Sequence, residues 1–135
     1  MSLFMAEPRS ACTMSPGSTP WRAIASGRAR FPHLSLFVGT ADHLEFADAQ
    51  FDTVLFGFCL YLVDREHLFR AVAEADRVLR PGGFLGLWDF DPPSPVRREY
   101  KHHGGLWSYK TDYSRLFLAN PAYQLVEKRA FSHAG

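Results

Sequence analysis

Neither sign of charge prevails in this chain: 15 Lys and Arg stand against 14 Asp and Glu over 135 residues, a formal net charge of +1. That balance excludes the broad basic stripe of a nucleic-acid footprint, and no nucleic-acid partner is expected. Cysteine is scarce. Cys12 and Cys59 alone make no disulfide framework, which points to a reducing, cytoplasmic setting. No apolar run approaches the ~18 residues of a membrane span. No hydrophobic stretch follows a basic start, as a signal peptide requires. No membrane partner is therefore expected. A glycine-rich turn is missing too: no G-x-G pattern precedes Gly39, and no acidic residue stands between Glu7 and Asp42. Without the dinucleotide fingerprint, an oxidoreductase reading has no support.

What is present is globular. Apolar residues make up 47% and aromatic residues 15% of the chain, enough for one modest core. Residues 1–18 mix Pro, Gly, Ser and Thr without a period and read as an irregular tail, leaving 19–135 as the domain. Thr19-Pro20 is a helix start for Trp21 to Arg30, which Pro32 ends. Three short apolar runs follow: LSLFV at 34–38, TVLFGF at 53–58 and FLGLWDF at 84–90. None alternates cleanly, the pattern of strands covered on both faces in a parallel sheet. Cys59 lies in the second run and is expected to be a buried small hydrophobe. Between the second and third runs a helix is expected from an Asp64 cap to Arg80, with Leu68, Val72, Ala75 and Leu79 on one stripe. Phe69 and Val78 are expected to widen that stripe, and Pro81-Gly82-Gly83 to stop the helix. Strand, helix and strand make a βαβ unit.

After Phe90 the chain loosens through DPPSP and KHHGG. Arg97, Arg98 and Lys101 form the one basic cluster, read as a solvated loop in preference to a phosphate patch. Asp89 and Asp91 follow the third run, where a base or a nucleophile-orienting group would sit. Turn-forming Asp is the preferred reading. His102-His103 lack a Cys or a second spaced pair, so no metal is expected. A short helix is expected from a Thr111 cap to Asn120, with Leu116 and Phe117 inward, and a last strand from Tyr123 to Ser132.

VGTADHLEF (38–46), FDTVLFGFCLYLVD (51–64) and EADRVLRPGGFLGLWDF (74–90) together resemble class I S-adenosylmethionine-dependent methyltransferases of the type 11 family. RVLRPGG is the most recognisable phrase. The resemblance implies an α/β fold: a partial Rossmann-like, doubly wound and mostly parallel sheet that lacks the first strand and its Gly-rich loop. It implies S-adenosyl-L-methionine as cofactor, bound across the carboxyl ends of the strands. It places Gly39, Thr40, Ala41 and Asp42 near the adenine, with the Ala41 N–H on the purine edge. Gly57 and Phe58 would lie under the methionine portion, and Tyr61 would border the methyl-transfer pocket. Many relatives carry an acidic residue where Thr40 stands. A strand-to-loop turn at Gly39-Thr40 and core roles for Phe58 and Tyr61 are the plain alternatives. No catalytic residue is singled out, because an activated methyl donor mainly needs alignment.

The resemblance also marks absences. The family's first strand lies between the second and fourth, so its loss would bare the fourth strand and invite self-association. The family's acidic clamp on the ribose hydroxyls has no counterpart here, and neither has its seventh strand. The expectation is thus a methyltransferase acting on a small-molecule acceptor, truncated at both ends and without activity as an isolated fragment. The alternative is a non-catalytic interaction module derived from the same fold.

Overall fold

The computed structural model describes residues 25, 27–33, 35–101 and 105–132, and the backbone of residues 2–7 and 10–14. Five strands form one sheet: β1 (Ser2–Glu7), β2 (Ser10–Met14), β3 (Ser35–Gly39), β4 (Phe51–Gly57) and β5 (Leu79–Trp88). Their order is β3-β1-β2-β4-β5. β1 pairs antiparallel with β2 and with β3, whereas β2 runs parallel to β4 and β4 parallel to β5. Only β1 is reversed, and the other four strands point the same way. The parallel α/β architecture expected from the apolar runs is what the backbone forms.

The N-terminus corrects the expected irregular tail. Residues 2–7 and 10–14 are ladder-paired, and Ser10–Met14 lie beside β4 in the place the resemblance reserves for the first strand. The physical reason is the ladder itself. β3 and β4 each present a row of backbone N–H and C=O groups, and an unpaired buried row is costly. β1 and β2 satisfy both rows. β4 is consequently paired on both sides, and the bared edge expected there does not exist.

A helix, α1 (Arg65–Val78), joins β4 to β5. Asp64 stands at its N-cap as expected, but its side chain makes no capping bond; its carbonyl accepts from the His67 N–H at 2.9 Å. Ala71, Ala75 and Val78 are fully buried, and Leu68 and Val72 are half-buried. Phe69 corrects the expected stripe: it is 71% exposed, because one step of about 100° from Leu68 carries it off the buried face. The helix also ends earlier than expected. Leu79 is already extended and opens β5, so Pro81-Gly82-Gly83 form an irregular strand entry. Gly82 has a φ of 74°, and a Cβ on Gly83 would lie 2.7 Å from the Asp52 carbonyl oxygen. Here glycine permits the close approach of β5 to β4, where the ladder register shifts between Phe51 and Thr53.

Beyond β5, the expected loop contains a hairpin of β6 (Val96–Glu99) and β7 (Trp107–Lys110). The following helix, α2 (Ser114–Leu118), is shorter than expected. Tyr113, not Thr111, stands at its N-cap and makes no side-chain capping bond; Asp112 Oδ1, one residue earlier, accepts from the Ser114 N–H at 3.1 Å. Phe117 is buried as expected. Residues 123–132 correct the expected final strand: none of the described residues there pairs in a ladder. Among them, Tyr123 to Arg129 help wall a cleft of about 680 Å³ against β5 and α2. The main core lies between the sheet and α1, built on Phe51, Val54, Phe56, Cys59, Leu60 and Val78. Cys59 is buried as its apolar setting predicts.

Candidate active site

Strand direction brings the predicted residues to one edge. β3 ends at Gly39, β4 at Gly57 and β5 at Trp88, all at the carboxyl end. The register confirms the alignment: Ser2 faces Gly39, Leu3 faces Met14, Met14 faces Gly57 and Gly57 faces Trp88. Three inter-strand steps separate β3 from β4, about 14 Å at ~4.8 Å each. A ligand touching both ends must therefore be extended.

At the first end, Thr40 is exposed and its carbonyl accepts from the His43 N–H at 3.2 Å, closing a tight turn. Ala41 is only 5% exposed and belongs to the core. Asp42 is turned inward, with its Oδ2 2.9 Å from His67 Nδ1 on α1. Burial opposes its ionisation, but the Thr40 hydroxyl, its own backbone N–H, His67 and Arg70 together hold the carboxyl below its ordinary range.

This loop is clamped to α1 by residues the sequence reading passed over. Arg77 pairs with both carboxylate oxygens of Glu74, at 2.8 Å each, and donates to the carbonyls of Phe46 and Leu44 at 2.8 and 2.9 Å. The Leu44 N–H returns a bond to Glu74 Oε2 at 2.7 Å. The Arg77 guanidinium holds the Glu74 carboxyl near 2. That contribution is complete above pH 4.5 and is lost as pH falls toward 2. The signal was within reach: Glu74 and Arg77 share one helix face three residues apart.

At the second end, Phe58 has a φ of 48°, unusual for a bulky residue, and its N–H donates to the Trp88 carbonyl at 2.7 Å. Its ring meets Phe90 at 5.4 Å and Trp88 at 6.0 Å. Tyr61 is buried and meets Phe90 at 5.0 Å and Tyr100 at 6.3 Å. Lys110 Nζ lies 3.6 Å from the Phe90 ring centre, so this aromatic wall already attracts a cation.

Asp89 joins the two sides of β5. Its Oδ1 accepts from the Phe90 N–H at 2.8 Å and its Oδ2 from the Tyr61 N–H at 3.3 Å, tying the strand end to the turn Leu60–Leu62. Asp91 behaves differently, pairing with Lys128 at 2.9 Å. None of the seven predicted cofactor residues lines the 680 Å³ cleft, whereas Asp89 and Phe90 do. His102 and His103 lie outside the described residues.

Burial pushes the Asp89 carboxyl up to about 6, against the pull of backbone N–H groups at Phe90, Tyr61, Leu60 and Cys59. The folded chain thus binds this proton more tightly than the unfolded chain. This group's contribution to stability is fullest below the unfolded value of 3.8 and falls as pH rises through about 6. The loss is at most about 3 kcal/mol. In Asp89→Asn that loss disappears. Between about pH 4 and pH 7 the stability difference between variant and parent should move by roughly that amount in the variant's favour. Urea midpoints across the range measure it, and a constant difference would contradict the buried-carboxyl account.

Comparison with known proteins adds three findings. A family profile described as a methyltransferase domain matches residues 5–87. The chain is 33% identical over 106 residues to a demethylmenaquinone methyltransferase of Beutenbergia cavernae, covering 78% of this chain and 43% of that protein. It is 37% identical over 79 residues to a demethylmenaquinone methyltransferase of Renibacterium salmoninarum, covering 57% and 32%. It is also 37% identical over 73 residues to a phthiotriol/phenolphthiotriol dimycocerosates methyltransferase of Mycobacterium ulcerans, covering 51% and 25%. The chain spans less than half the length of these relatives.

Proposed function

The chain belongs to the methyltransferase-domain family, and from that premise we propose that it serves S-adenosyl-L-methionine-dependent methyl transfer to a small, largely apolar acceptor of quinone or lipid type. The carrying observation is the shared carboxyl edge: Gly39–Asp42 and Gly57–Tyr61 stand at one end of co-directed strands. Asp89 and Phe90 connect that end to a cleft of ligand size. The names of the relatives support an acceptor of this class.

The residues present fit the cofactor in part. Thr40, exposed beside Gly39, suits a purine edge, and Phe58 with Tyr61 suits the methionine side. The ribose hydroxyls find no carboxylate in residues 8–41. Asp42, the carboxylate that follows this stretch, is engaged by Thr40 and His67. When bound, the cofactor supplies a methyl group already activated on a sulfonium. The chain's own work is to orient and to exclude water: the rings of Phe58, Tyr61 and Phe90 wall the junction, and the cleft along β5 holds the acceptor. Asp89, largely ionised at neutral pH, can take a proton there from an acceptor hydroxyl.

Loss of a charged clamp on two hydroxyls removes bonds worth roughly 1.5–3 kcal/mol each. That is on the order of a hundredfold or more in affinity. The 135-residue chain is therefore expected to bind S-adenosylmethionine weakly or not at all by calorimetry. Amide shifts in a titration with S-adenosylhomocysteine at high concentration should fall at Gly39, Thr40, Gly57 and Phe58. Micromolar binding would refute the missing clamp, and shifts confined to other elements would refute the site. The cytoplasm is the proposed setting, from the scarcity of cysteine. The alternative of a non-catalytic module joining partners through a bared β4 loses its main support, since β4 has a strand on each side.

A further inference from the structure

We propose that the β6–β7 hairpin is a peripheral anchor that docks the chain on an anionic lipid bilayer. The argument begins with which way its side chains face. Opposed residues of an antiparallel pair share a face, and successive residues alternate. Arg98 is opposite Ser108, Arg97 opposite Tyr109 and Glu99 opposite Trp107. Ser108 is buried, so its face of β7 is the inner one, while the Arg98 side chain opposite it on β6 reaches solvent. Just beyond β6, the Tyr100 ring meets Tyr61. Arg97, Glu99, Trp107 and Tyr109 therefore form the outer face. There the Arg97 guanidinium lies 3.9 Å from the Trp107 ring centre and 5.6 Å from that of Tyr109.

An arginine stacked on tryptophan and tyrosine is the side-chain chemistry of a membrane–water interface. The rings suit the headgroup level and the cation meets phosphate. Leu106 and Trp107 are 38% and 40% exposed, an apolar edge, and Lys101, two residues past β6, is exposed as well. Charge favours an anionic surface. Residues 96–110 hold four of the chain's 15 basic residues and one of its 14 acidic residues, so the remainder carries more acid than base; Lys110 stands against Phe90, and Arg97, Arg98 and Lys101 are the exposed cations. That asymmetry orients the molecule hairpin-first toward a negative plane. A nucleic-acid site would call for a longer basic stripe and has less use for exposed Leu106. Among the described residues no helix is long and apolar enough to cross a membrane, so the contact is at the surface. Through Tyr100 and Tyr61 the anchor touches the aromatic wall of the candidate site. An apolar acceptor dissolved in the bilayer would enter there. That purpose rests on the proposed function, but the docking itself does not.

The test uses the full chain and two vesicle types, pure phosphatidylcholine and phosphatidylcholine with phosphatidylglycerol, read by co-sedimentation. Binding is expected to the anionic vesicles only and should weaken steeply with salt. Arg97→Gln, Arg98→Gln and Lys101→Gln combined should lower it on the order of a hundredfold, at about fivefold per charge. Trp107→Ala should lower it as well. Circular dichroism checks that each variant folds, and the salt series on the parent chain needs no variant. Three results would overturn the anchor: no binding to anionic vesicles, equal binding to neutral ones, or binding indifferent to the triple substitution. Retention on heparin matching the vesicle affinity and unaffected by Trp107→Ala would mean a general polyanion site, which also defeats it. The vesicles contain neither cofactor nor acceptor, so failure here leaves the methyl-transfer reading standing, and the reverse also holds.

Discussion

Arg77→Ala should destabilise the fold by about 3 kcal/mol, the loss of four charge-assisted hydrogen bonds in a setting that solvent partly screens. At this chain length that is a fall of roughly 10 °C in Tm. The residue joins Glu74 in a two-pronged pair and holds the carbonyls of Leu44 and Phe46, so its removal frees the loop from α1. It also strands the Glu74 carboxylate, leaving it only the Leu44 N–H and whatever solvent reaches it. The bond to Asp48, an exposed carboxylate, adds little. Arg77→Lys should recover only part of the loss, because an ammonium cannot reproduce the fork. Hydrogen exchange should quicken first at the amides of residues 40–47, the segment carrying the candidate adenine contacts. A melt unchanged within a degree in Arg77→Ala, or full recovery in Arg77→Lys, would show that the clamp does not hold the loop.

Phe56→Ala should cost about 3–5 kcal/mol, the range for deleting a buried aromatic ring. Phe56 is 1% exposed on β4 and stands between its ladder partners Thr13 and Leu87. Its ring centre lies 6.1 Å from that of Phe117, so the cavity would also undermine α2. Against a typical total of roughly 5–15 kcal/mol, such a loss leaves little margin for cooperative unfolding. Phe69→Ala is the matched control. Its ring is exposed on α1, and the change should fall within about 0.5 kcal/mol. Chemical denaturation of both variants decides the matter. Equal costs at the two positions would mean that the core is not where β4 and α1 place it.

The contrast between Phe56 and Phe69 marks what could be read from the chain alone. β4, α1 and β5 were legible because their signals are local. An apolar run is bounded by turn residues, a helical stripe repeats at 3.6, and the phrase RVLRPGG closes one element and opens the next. The ends of β3 and β4, at and after which the candidate cofactor residues stand, were legible for the same reason. Phe69 was misjudged by a single step of helical rotation, which the buried face settles only once the sheet is beneath it.

Other features were hidden because they depend on pairing across distance. Ser2–Glu7 and Ser10–Met14 have little strand character of their own, and the open ladders of β3 and β4 draw them into the sheet. VRRE does not read as a strand until it meets WSYK. The clamp of Arg77 on Leu44 and Phe46 spans 33 and 31 positions. Asp89 and Asp91 are alike in sequence and opposite in fate, one buried against backbone N–H groups and the other paired with Lys128. By itself the sequence determined the family, the βαβ centre and the strand ends that form the candidate site. Local periodicity and turn chemistry carry those. The tertiary structure alone decided which edge is closed, which carboxylate is desolvated and which ring is buried, because these follow from contacts between residues far apart in the chain.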